Sequence, residues 1–199
     1  GVFTRASAMV ELSVPVASLG LKRMIFPWLE ETTQGEQPRL ATHVLLDALL
    51  LATFAGLAVS ALLVLLAEAL PGSLVSDSLR LALALIAPAV LGQVIGDIAL
   101  AATRWTHKMR YEVIARGLVE PYVLTAVAFG AWYLGLEQTG MVIGYWAGSI
   151  TLALFLVWSA RHCLGPLHLR RWRPQPAQLV LRARALAPAS GSDFLTTLA

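Results

Sequence analysis

The sequence predicts an all-α, polytopic membrane helix bundle of about five transmembrane helices plus the start of a further one, and three observations predict it. Of the 199 residues 57% are hydrophobic and only 14% charged, with a mean hydropathy of +0.69, where an ordinary soluble domain is about 25% charged. Apolar runs recur at the ~18–20 residues with which a helix crosses a hydrocarbon layer of about 30 Å. Lys and Arg gather in alternate connections between those runs, as the positive-inside rule requires.

Taken in order, the first expected span covers about residues 2–21, "VFTRASAMVELSVPVASLGL", and carries Arg5, Glu11 and Pro15. The second, about 48–70, has at its heart "ALLLATFAGLAVSALLVLLA", twenty residues without a charge. The third, about 79–103, contains Pro88, Gln93 and Asp97. The fourth, about 116–136, opens with Glu120 and Pro121 and closes on "WYLG"; the fifth, about 139–160, has no charge. Residues 1–163 thus read as a partial N-terminal transmembrane lobe, and 164–199 as a cytoplasmic basic linker running into the next helix. The chain starts at Gly1 with no initiator Met and stops at "SDFLTTLA" as an apolar stretch resumes, so it is expected to be a piece of a longer protein.

The charge pattern orients these spans. Thirteen of the fifteen Lys and Arg fall in the segment after the first span (Lys22, Arg23, Arg39), in "RWTHKMRYEVIARGLVEP" between the third and fourth, and after the fifth. The opposite connections hold Arg80, and Arg5 lies near the other end of the first span. The rule places the basic connections on the cytoplasmic side. A net charge of +3 is therefore a topology signal here, and no nucleic-acid partner is expected.

Gly140, Gly144 and Gly148 align along one face of the fifth span, and Gly92 and Gly96 repeat the spacing in the third. Such small-xxx-small faces let helix backbones approach closely. Pro15 and Pro88 each remove a backbone donor and predict a kink. Trp105, Tyr111, Trp132, Tyr133 and Trp158 fall near predicted interfaces, where rings with one polar edge sit well.

Charges at depth are the informative exceptions, because an ionisable group at the bilayer centre costs about 2.5–3.5 kcal/mol on insertion scales. Glu11 lies mid-span, with Ser7 and Ser18 on the same helix face at spacings of four and seven. Gln93 and Asp97 form a second polar patch one turn apart, and Arg116 and Glu120, again four apart, read as an intrahelical pair. Asp47, just before the second span, reads as solvated. No nucleophile elbow, HExxH pair or phosphate loop occurs, and the four His and single Cys163 lack metal-ligand spacing. The sequence assigns no catalytic residue, no metal and no cofactor, and the chain is not expected to be an enzyme.

With these elements placed, the chain resembles the N-terminal lobe of a polysaccharide or lipid-linked oligosaccharide flippase, in the superfamily that includes the multidrug and toxin extrusion transporters. The resemblance rests on "GVFTRASAMVELSVPVASLGLKRMIFPWLEE", similar to the family's second helix, on the hairpin "ATRWTHKMRYEVIARGLVEPYVL", and on "LVLRARALAPASGSDFLTTLA", similar to the lead into the seventh helix. It implies a multi-pass protein of the bacterial inner membrane that flips polyprenyl-pyrophosphate-linked glycan by alternating access. It implies membrane lipid and lipid-linked glycan as partners, with cell-envelope polysaccharide synthesis proteins as candidates. Arg5 is then the candidate for neutralising the anionic carrier, Glu11 for a coupling proton or sodium ion, and Ser7, Gln93 and Asp97 complete the expected translocation residues. The first helix and the second lobe of such a transporter are absent from the sequence. An integral-membrane transferase, or a permease subunit of cell-envelope glycan synthesis, is the alternative.

Overall fold

The computed structural model describes residues 2–18, 21–33, 38–69, 76–165 and 172. All the regular structure among them is helical: α1 (Val2–Ser18), α2 (Leu21–Thr33), α3 (Pro38–Ala69), α4 (Asp77–Ile86), α5 (Ala89–Trp105), α6 (Arg110–Ile114), a π-helical turn (Ala115–Val119), α7 (Glu120–Tyr133) and α8 (Glu137–Leu164). The expected linker and further helix at 164–199 lie almost wholly outside the described residues.

Among the described residues, three helical stretches are long and apolar enough to cross a membrane: Ala41–Ala69, Arg110–Tyr133 and Thr139–Leu164. Asp77–Ile86 and Ala89–Trp105 make a fourth if they are taken as one span bent by 41°. The bend falls where Pro88 has no N–H to continue the ladder. The first expected span, about residues 2–21, is helical over the 17 residues of α1 and is not among these stretches; residues 19–20 lie outside the described ones.

Two further differences come from amphipathic segments with no long apolar run. Residues 22–47 were expected as a connection, yet Leu21–Thr33 is helical and buries Leu21, Ile25, Trp28 and Leu29. That spacing of four, seven and eight is one helix face. Likewise α3 begins ten residues before the expected second span, and Val44 and Leu45 of the added turns are buried.

Helix α5 is the centre of the bundle, touching α1, α2, α3 and α8. Its small residues set the packing: a Cβ on Gly92 would lie 2.9 Å from the Ser149 carbonyl oxygen, and one on Gly96 would meet Leu152 and Leu156. These contacts make α5 and α8 parallel. On the next face of α8, Gly140 lies against Ala131 and Gly144 against Leu124, so α7 runs antiparallel to it. The small-residue faces are thus filled from within the chain. Helix α7 is otherwise bare: Tyr122, Phe129, Trp132 and Tyr133 are exposed, as are Phe54, Leu62 and Leu65 on α3 and Ile150, Leu154 and Trp158 on α8. Large apolar side chains outside and small ones at helix contacts are the arrangement expected where the surroundings are lipid.

Candidate functional site

Asp97 stands near the middle of α5 and is only 4% exposed, although its neighbours Val94, Ile98, Ala101 and Ala102 are buried apolar residues. A carboxylate so placed needs compensation. It has two cations: Lys22 from the start of α2 pairs with Oδ2, and Arg116 from the π-helical turn pairs with Oδ1. One turn away on the same face of α5, the Gln93 amide donates to Glu120 Oε1 across 2.7 Å. At the end of α5, Arg104 grips Glu112 with two donors, Nε reaching Oε2 at 2.8 Å.

Three polar side chains therefore reach α5 from one helical strip at positions 112, 116 and 120. In a regular α-helix, eight residues drift by about 80° around the axis, whereas seven drift by only about 20°. The wide turn at Ala115–Val119 absorbs the surplus residue. Glu112 and Glu120 consequently keep one direction, with Arg116 between them. The intrahelical pair expected from spacing alone is replaced by two bonds across to α5, because Asp97 and Gln93 are both within reach.

These residues line a cleft of about 400 Å³ between α1, α2, α5 and α7, walled by Glu11, Lys22, Gln93, Asp97, Arg116 and Glu120. A second space of about 260 Å³ shares Lys22, Asp97 and Arg116 and adds Arg104 and Glu112. The two meet at the Lys22–Asp97–Arg116 junction. Of the residues singled out in the sequence, Glu11, Gln93 and Asp97 come together here. Arg5 and Ser7 are not among the lining residues; Arg5 is exposed, and the Ser7 hydroxyl donates to the Thr4 carbonyl at 3.2 Å within α1. Ser18 is buried and donates to the Pro15 carbonyl at 2.8 Å. Asp47, expected to be solvated, accepts the indole N–H of Trp172 at 2.9 Å.

The sequence marks Lys22 only as an orientation charge, and Arg116 and Glu120 only as an intrahelical pair, yet all three line the cleft. The usable signal was the recurrence of charge every fourth residue, Glu112, Arg116 and Glu120, beside the expected fourth span. Chemically, the junction can hold polar or charged groups of either sign, since its two cations share one carboxylate and Glu11 has no ion pair among the described residues.

The fold and this cleft define a class: a helical protein with helices long and apolar enough to span a membrane and a charged cleft between its helices. Compared with protein-family models, curated proteins and solved structures, the chain matches none.

Proposed function

We propose that the chain is part of a bacterial inner-membrane transporter that flips or exports polyprenyl-pyrophosphate-linked oligosaccharide by alternating access. The observation that supports this reading is the cleft: a bundle apolar on its outside gathers Glu11, Lys22, Gln93, Asp97, Arg116 and Glu120 around one open cleft between its helices. Ionisable side chains in membrane helices characteristically face a cavity or a partner and mark substrate or ion paths. Binding sites of transporters lie between packed helices, often beside broken ones, and this cleft adjoins α5 just beyond the Pro88 bend. Lys22, Arg104 and Arg116 would meet the phosphates of the carrier, and Glu11 and Asp97 would help set the charge of the path.

The test is export of surface polysaccharide by the intact protein in its own cells, with Lys22→Gln, Arg116→Gln and Glu11→Gln compared at equal membrane insertion. Loss of export with normal insertion supports the reading. Normal export in all three would return these charges to a structural role and leave the transport reading without its support.

A further inference from the structure

The end of α8 carries a second polar feature, remote from the cleft and unused by it. Ile150, Leu154 and Trp158 follow one another at a spacing of four, all exposed, and Arg161 continues the stripe three residues on. These positions share one face of a helix. The stripe is apolar for two turns, then aromatic, then cationic.

At its end is a recess of about 480 Å³ lined by Trp158, Arg161, His162 and Gly165. Its walls are ordered by ring stacking. The Trp158 indole and the His162 imidazole lie nearly parallel, 15° apart with centroids at 5.9 Å, and Phe155 packs on the other side of Trp158 at 5.8 Å. Gly165, at φ +99°, ends the helix at the edge of the recess. Arg161 is exposed and has no ion pair among the described residues.

We propose that this recess is a seat for an anionic phospholipid, with the phosphate held by Arg161 and His162, the glycerol region against Trp158, and an acyl chain along Leu154 and Ile150. Each part of such a lipid meets its complement. The guanidinium supplies a fork of donors for phosphate oxygens. The indole sits where hydrocarbon gives way to headgroup, and the Trp158 stack holds the imidazole in place beside the cation. A free phosphate would use only the last turn and leave the apolar stripe unexplained. A zwitterionic lipid would satisfy the stripe but bring a cation of its own to the charged end. The proposal stands on α8 lying in a bilayer and is independent of the transport reading.

The experiment uses the full chain in vesicles containing phosphatidylglycerol or phosphatidylcholine brominated near the headgroup end of the acyl chain. The Trp158 contribution to fluorescence quenching is isolated by difference from Trp158→Phe. Phosphatidylglycerol is expected to quench Trp158 at about fivefold lower mole fraction, the preference that one or two membrane-surface charges confer. Arg161→Gln combined with His162→Gln should bring the two lipids to parity, and Arg161→Lys should keep most of the preference. Added inorganic phosphate should leave the quenching unchanged. Parity in the unaltered protein, a preference surviving in the double variant, or displacement by inorganic phosphate would each overturn the proposal. Because quenching is read without export, its failure and that of the transport reading are separable.

Discussion

Trp146 on α8 donates its indole N–H to the carbonyl of Leu85 on α4 across 2.8 Å. Leu85 stands three residues before Pro88, where the bent pair α4–α5 has its break. A proline break leaves carbonyls of the preceding turn without their usual backbone donors, and in lipid such groups must be met from elsewhere in the protein. The indole is the group that meets this one. Trp146→Phe keeps most of the apolar bulk and removes the donor. It should lower unfolding stability by about 1 kcal/mol, read from thermal melting of the purified protein, and an unchanged melt would show that the carbonyl finds another partner.

Asp97 carries the larger stake. Its buried carboxylate separates two partly exposed cations that converge from α2 and from the π-helical turn, so removing its charge leaves Lys22 and Arg116 close together without the anion they share. Asp97→Asn should cost about 1–3 kcal/mol, the range for leaving hydrogen-bonding partners unmatched, because Lys22 and Arg116, 40% and 46% exposed, can turn to water. Adding Lys22→Gln to that variant should recover part of the loss, because one unpaired cation is removed. A double variant as unstable as the single one would mean that Asp97 acts mainly through shape.

The Arg104–Glu112 pair offers the contrasting case. Here the carboxylate is accessible as well, Glu112 at 26% beside Arg104 at 47%, and exposed pairs contribute only about 0.2–1 kcal/mol. Glu112→Gln should therefore shift stability by less than about 1 kcal/mol. Exchange of the two residues, Arg104→Glu with Glu112→Arg, should be tolerated, as seen by melting in low and high salt.

Two glycines separate packing from propensity. A Cβ on Gly144 would lie 2.8 Å from the Leu124 carbonyl oxygen, whereas one on Gly130 would meet nothing within 4 Å. Gly144→Ala should force α7 away from α8 and reduce folded yield sharply. Gly130→Ala should be neutral or stabilising by up to about 1 kcal/mol, since alanine favours helix. Equal behaviour of the two variants would contradict the close α7–α8 contact.

What could be read in the sequence followed from signals local in the chain. The apolar runs of α3 and α8 are long and free of charge, so length alone marks them, and Pro88 announces its bend. The glycine faces predicted close packing, though the pattern does not say which helix fills them; that depends on Ala128, Ala131 and Leu124 of α7. Helix α2 escaped notice because its apolar residues cover one face and its window is polar on average. In the cleft, Gln93 and Asp97 stand out as polar residues inside an apolar run, while Lys22 counts only as an orientation charge and Arg116 and Glu120 only as a pair within their own helix. Their meeting is set by the α5–α7 geometry, a long-range property that spacing along either helix does not contain.

The turn at Ala115–Val119 can be restated in terms of the gene. A π-helical turn is one codon in surplus: the segment holds an amino acid more than a straight helix would need to carry Glu112 and Glu120 to the same side of α5. Deleting the codon for Gly117 or Leu118 would leave those two acids seven apart and within about 20° of their present alignment. Arg116, ahead of the deletion, would stay four residues after Glu112 and on the same face of the helix. A reading frame shorter by one triplet at this point would thus preserve the helix, its hydropathy and the common direction of Glu112, Arg116 and Glu120, and give up only the surplus residue.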